Sequence, residues 1–171
     1  MKPIPQERQH HLLRAPRWIL AGLILATGCG LMIASLDSDG RSKLATDRLL
    51  SAACDGDLSA ARAAWPMLKD DPIAQHRASL TLLHVGATLG HANIVRQALA
   101  WGAAADARSP AGCTALMMAA GTSESVQIAT ILLDAGADPS AIDSRGATPL
   151  GNAVLANDEG LVDVLLERGA M

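Results

Sequence analysis

Five histidines, three cysteines and the adjacent acidic pair Asp158-Glu159 are the residues in this 171-residue chain that could carry chemistry. Histidine and cysteine would ligate a metal, a thiol would act as a nucleophile, and paired carboxylates would trade protons. Metal sites legible in a sequence keep their ligands at local spacings such as HExxH or paired CxxC, and neither occurs here. His10-His11 lies in a basic tail and reads as a solvated flank, and His76 reads as a loop residue. Asp158-Glu159 sits at a turn, and adjacent residues on a helix point in different directions, so the pair reads as solvated charge. Gly28-Cys29-Gly30 lies inside an apolar run, and no glycine-rich loop ends in Lys-Ser or Lys-Thr, which leaves no phosphate cradle. No catalytic residue, cofactor or metal is expected, and with no converging set of groups an enzyme is not expected either.

The elements that would hold a site follow from composition and repetition. Half the residues are apolar and 18% are charged, too hydrophobic a balance for a disordered chain. The net charge of −3 divides unevenly. Residues 1–36 carry Lys2, Arg8, Arg14 and Arg17 against Glu7, whereas the remainder holds more acids than bases. An acidic body lacks the basic face that phosphate backbones require, so no nucleic-acid partner is expected.

Residues 18–36, WILAGLILATGCGLMIASL, contain no charge. As a helix rising about 1.5 Å per residue the segment would span nearly 30 Å, the thickness of a bilayer's hydrocarbon. Basic residues precede it and Asp37 and Asp39 follow, which predicts a cytoplasmic tail over 1–17, a transmembrane signal anchor over 18–36 and an exported body. A short linker over 37–43 would bring the first repeat close to the membrane. Two other fates compete with the anchor. Met32-Ile33-Ala34 is a poor cleavage site at the end of an overlong apolar stretch. Leu25-Ala26-Thr27-Gly28-Cys29 resembles a bacterial lipobox, which would make Cys29 a lipidation site, although Ala26 stands where Leu is preferred.

Past residue 44 the chain repeats. Thr81-Leu82-Leu83-His84, Thr114-Ala115-Leu116-Met117 and Thr148-Pro149-Leu150-Gly151 align, each followed by small residues, an apolar pair and a closing glycine at Gly102, Gly136 or Gly169. The middle copy has one extra residue, assigned to Gly121-Thr122-Ser123-Glu124. Thr148-Pro149 is a helix-start signal, a side-chain cap followed by a residue without an N–H. The three glycines suit the left-handed position that ends a helix. A weaker copy runs from Leu49 through Gly56-Asp57-Leu58, and its second helix should end at Trp65-Pro66.

This pattern resembles the ankyrin repeat, T-P-L-H-x-A-A-x-x-G-H followed by I-V-x-x-L-L-x-x-G-A-D, most closely over residues 81–106. The resemblance implies an all-α solenoid of about four helix-turn-helix repeats (44–77, 78–110, 111–144 and 145–171) with projecting β-hairpin loops, preceded by the one N-terminal transmembrane helix. One helix pair cannot cover its own apolar face, so neighbours must stack. Asp163, Glu167 and Arg168 would give the last helix the polar outer side of a terminal repeat. His84 and His91 fall on the family's Leu-His and Gly-His positions, where the ring usually bonds between repeats. Cys54 and Cys113 fall on different repeats and are expected to be unpaired.

Ankyrin proteins usually bind partners through loop tips and the exposed face of each first helix. By position, this implies Arg77, Arg108, Ser109, Asp143, Ser144 and Arg145 at the tips, and Thr88, Leu89, Met118, Thr122 and Asn157 on the helices. Trp101 precedes the closing glycine, where the family usually has a polar residue, and tryptophan is enriched at binding hot spots. Trp65 falls on the apolar pair and reads as core. The expected function is a non-enzymatic protein-interaction module, monomeric, with an unidentified protein partner, on the periplasmic face of the cytoplasmic membrane. The chain resembles small exported bacterial ankyrin proteins, some of which support peroxide defence through a catalase. The alternative is an immunity or inhibitor protein against a toxin or enzyme in the periplasm.

Overall fold

The computed structural model describes residues 40–170. The tail, the apolar segment 18–36 and Cys29 lie outside them, as do the fates proposed for that segment. Among the described residues no helix is long and apolar enough to cross a membrane.

Eight α-helices follow in order: α1 Gly40–Asp55, α2 Leu58–Ala64, α3 Pro72–Leu89, α4 Ala92–Ala100, α5 Ala115–Met118, α6 Ser125–Asp134, α7 Pro149–Leu155 and α8 Glu159–Glu167. Consecutive helices pair. The first members α1, α3, α5 and α7 pack one on the next in one layer, and α2, α4, α6 and α8 do so in the other. Side-chain caps set most of the starts. Asp57 accepts from the Ser59 and Ala60 amides, Thr148 from Gly151 at 3.1 Å, and Asp158 from Leu161 at 3.1 Å. Thr114 opens α5 in the same way through the Met117 amide. α1 begins at Gly40, so helix takes up the end of the segment expected to be a linker.

Leucine, isoleucine and valine at helical spacing fill the space between the layers, with Leu49, Leu83, Val95, Leu116, Ile128, Leu132, Leu161 and Leu165 fully buried. Each such side chain contributes roughly 1.5–3 kcal/mol of burial. The small residues between them set how closely the helices approach. A Cβ on Gly86 would meet Ile94 at 3.1 Å, so α3 and α4 are nearer to each other there than any side chain permits.

Two expectations about the connections are corrected. The first concerns His76 and Arg77, which were expected in a loop. Asp71 caps the Ala74 amide at 2.9 Å and Pro72 occupies the first helical turn. Neither glycine nor a further proline follows up to Thr81, so α3 runs uninterrupted over 18 residues. His76 and Arg77 are therefore helical, and Thr81 sits in mid-helix, its hydroxyl donating to the Arg77 carbonyl at 2.9 Å. The second concerns the β-hairpins. No strand forms among the described residues, and the first loop retains one isolated antiparallel bridge between Arg108 and Thr114. Its legs are too short to extend a ladder, because Thr114 already caps α5.

The second helix of the first repeat does stop before Pro66. α2 ends at Ala64, and Trp65–Leu68 tightens into a 3-10 turn. The surplus residue of the third repeat lies in the α5–α6 connection. Glu124 there accepts from the Ala92 amide at 2.8 Å, satisfying the start of α4 from the neighbouring repeat.

Candidate protein-docking surface

The loop between α4 and α5 and the loop between α6 and α7 are locked together. Each turns on a glycine with positive φ, Gly112 at 78° and Gly146 at 82°. Ser109 donates its amide to the Cys113 carbonyl at 2.9 Å, and Asp143 does the same to Ala147 at 2.9 Å. Between the loops, Arg108 donates to the Ile142 carbonyl at 2.6 Å and the Ser144 hydroxyl to the Ala111 carbonyl at 2.7 Å. A further tie joins the Asp138 amide to the Asp106 carboxylate at 2.8 Å. The tips thus form one braced unit instead of separate fingers.

Asp143 organises that unit from inside. Its carboxylate accepts from the Ala147 and Arg145 amides, each at 2.8 Å, and from the Arg145 guanidinium at 3.3 Å. The Ala147 and Arg145 amides hold its carboxyl below the usual carboxylate range. The Cys113 thiol points at the same carboxylate at 3.5 Å, and burial followed by the Asp143 charge pushes that thiol up. Cys113 and Cys54 are both free, and burial raises Cys54 as well. Neither thiol has the electropositive setting that activates a nucleophile.

This geometry corrects one expected docking residue and relocates another. Asp143 was expected at an exposed tip, but its side chain is 0% exposed because the turn's amides converge on it. Arg77 lies in α3, where the Asp71–Pro72 start puts helix in place of a tip. Arg108, Ser144 and Arg145 are exposed at the tips, and Ser109 is half-buried with its hydroxyl accepting from the Cys113 amide. Of the residues expected on the first helices, Thr88 is exposed and Leu89 half-buried at the end of α3, and Met118 is half-buried at the end of α5. Half-buried Thr122 and exposed Asn157 instead lie in the turns that follow α5 and α7, because those helices stop at Met118 and Leu155. The Thr88 hydroxyl bonds the His84 carbonyl at 2.8 Å and lies 3.6 Å from Met118 sulfur, so these two residues adjoin across repeats.

Trp101 stands apart from the loops. Its ring stacks on Trp65 with centroids 4.1 Å apart and planes within 4°, and both rings are half-buried. One face of Trp101 therefore has a partner within the chain. Seven large apolar residues are exposed among the described residues, including two the sequence reading did not name: Ile142 at the second tip, 56% exposed, and Leu155 on α7, 86% exposed. Ile142 was legible as the one large apolar residue between the turn residues Ser140 and Ser144. Leu155 was legible by its register with Thr88, itself assigned to the surface.

His84 bonds within its own repeat, to the loop that ends it, and His91 bonds between repeats. His84 is buried, with Nδ1 2.9 Å from the Leu80 carbonyl and Nε2 3.0 Å from the Ala107 carbonyl in the following loop. The Nε2 of His91 lies 3.3 Å from the Cys54 carbonyl of the preceding repeat. Among the described residues no group of three or more His, Cys, Asp or Glu side chains could hold a metal.

Two overlapping stretches, residues 31–143 and 83–171, match the family model described as "Ankyrin repeats (3 copies)". The chain belongs to the ankyrin-repeat family. Ankyrin repeat and KH domain-containing protein mask-1 of Caenorhabditis elegans is 40% identical over 70 residues, which is 41% of this chain and 3% of that protein. The chain thus spans a small fraction of that relative's length, and the likeness is one of repeats. Membership of this family suggests a protein-protein interaction module.

Proposed function

We propose that this ankyrin protein is a non-enzymatic docking module that binds a protein partner through the braced loop tips and the first-helix face. The observation that carries the reading is that the second tip leaves Ile142 exposed beside its exposed polar neighbours Ser144 and Arg145, and α7 leaves Leu155 exposed at its end. Large apolar side chains held out of the core by rigid backbone supply binding energy at little ordering cost. The partner is engaged on the periplasmic side of the cytoplasmic membrane, with residues 18–36 as the anchor. That topology is supported by the uncharged length of the segment and by the bases before it and acids after it. Likeness to exported bacterial ankyrin proteins favours an oxidative-stress enzyme such as a catalase as the partner.

The test is capture from solubilised membranes with the full chain, run beside Ile142→Glu and Leu155→Glu. A partner retained by the parent and lost by both variants is the expected outcome. If both variants keep every partner, this surface is not the docking site. Alkaline phosphatase fused after residue 171 should be active, and an inactive fusion would refute the export of the repeats.

A further inference from the structure

Each repeat is covered by the next, and the junction between the last two shows what such a covering needs. Arg168 of the fourth repeat reaches Asp134 of the third at 2.9 Å. Gly160 lets α8 approach Val126, whose methyl would lie 2.9 Å from a Cβ at that position. The closing glycines Gly136 and Gly169 set the correspondence between the two second helices. By it Val126, Ala129, Leu133 and Asp134 become Glu159, Val162, Leu166 and Glu167, and on the first helices Ala120 becomes Val154.

These counterparts are open in the fourth repeat. Val154 is 61% exposed and Leu166 54%. Where the smaller Ala129 is fully buried, Val162 is only half-buried. Glu159, Asp163 and Glu167 are exposed and recur every fourth residue, so they form one row along α8 beside Leu166. No ion pair joins them to any described residue, whereas Asp134, the counterpart of Glu167, has Arg168. The outer side of α8 was expected to be a polar end. Asp163, Glu167 and Arg168 are exposed there as expected, and exposed Leu166 adds an apolar patch with an acidic border.

We propose that this end face docks a basic amphipathic helix of a partner protein. The apolar side of that helix rests on Val154, Val162 and Leu166. Its Lys or Arg side chains reach Glu159, Asp163 and Glu167 as Arg168 reaches Asp134. A second copy presenting the same face would set acidic row against acidic row, which like-charge repulsion disfavours. The face is distinct from the loop tips, so the proposal stands or falls separately from the docking function assigned to them.

The probe is a fluorescein-labelled helical peptide with a Leu/Ala face and lysines along its borders, titrated with the full-length protein by fluorescence anisotropy. Its twin carries glutamate in place of each lysine. The basic peptide should bind at least about tenfold more tightly than the twin, and Leu166→Gln and Glu167→Lys should each weaken it by about tenfold, or roughly 1.4 kcal/mol. Asp70→Lys, at an exposed acid far along the chain from this face, should leave binding unchanged. The replaced side chains are exposed, and an unchanged urea midpoint confirms that each variant is folded. Equal binding of the twins, unaltered binding by both end-face variants, or no binding of the basic peptide overturns the proposal. Self-association of the protein that Leu166→Gln abolishes would also overturn it, in favour of a second copy.

Discussion

The junction between the first two repeats and the junctions after it solve the same problem with different materials. Between α2 and α3 the chain makes a 3-10 turn and then enters helix at once, so the first junction is helix and stacked tryptophan. After α4 and α6 it makes glycine turns braced by side-chain-to-backbone hydrogen bonds. The period of the repeat is thus fixed by the helix pairs that must cover one another, and the connection is free to vary. Function follows the difference. The front junction offers little but helix surface, whereas the back junctions present rigid loops with Ile142 and Arg145 turned outward.

The comparison breaks most sharply if the two regions melt as one. Leu132→Ala would empty a fully buried site on α6 and should cost roughly 2–5 kcal/mol. Because each repeat contacts only its neighbours, the loss should fall on α5 to α8 first, leaving the front helices protected in hydrogen exchange. Uniform loss of protection would show a single cooperative unit. Next in size is the tryptophan stack. Trp101→Ala removes a half-buried ring and a face-to-face contact, and should lower stability by about 2 kcal/mol from burial and ring pairing together. Its coupling with Trp65→Ala in a double-mutant cycle on urea unfolding should be near 1 kcal/mol. Strict additivity would mean that the two rings merely lie side by side.

Smaller still should be the effect on stability of Ile142→Ser and Leu155→Ser, within about 0.5 kcal/mol because both side chains are exposed. Their effect should appear in partner binding instead. A large fall in the urea midpoint would show that they serve the fold and would remove them from the docking surface.

How far the molecule was legible in its sequence differs between the same two regions. Helix pairs, closing glycines and the early stop at Pro66 could be read because each depends on local chemistry: apolar spacing, positive φ, a missing N–H. The start of α3 was obscured by the alignment itself. Thr81 lines up with two threonines that cap helices, yet the Asp71–Pro72 start lies upstream and overrides it. A stronger local signal was present and was outvoted by family position. Asp143 failed for another reason. A polar residue in a turn-rich stretch looks exposed, and only the folded turn shows two amides converging on its carboxylate. Trp101 could be singled out as unusual, but its neighbour Trp65 lies on another repeat, and no local rule pairs them.

The subtlest difference between the regions should be in their response to acid. Asp143 is held below the ordinary carboxylate range by the Ala147 and Arg145 amides. A carboxyl whose folded pKa lies below its unfolded one binds fewer protons when folded, so its contribution is complete above the unfolded value. It is lost as pH falls through the folded value. Acidification should therefore loosen the second tip, whereas the tryptophan stack itself carries no titrating group. The protection factors of the Arg145 and Ala147 amides, which remove the intrinsic pH dependence of exchange, should fall at low pH. In Asp143→Asn the side-chain oxygen can still accept from both amides, which share Oδ1, but the charge is gone, so protection should be weaker at neutral pH and nearly flat with pH. A steep pH dependence surviving in that variant would trace the bracing of the loop to some other group.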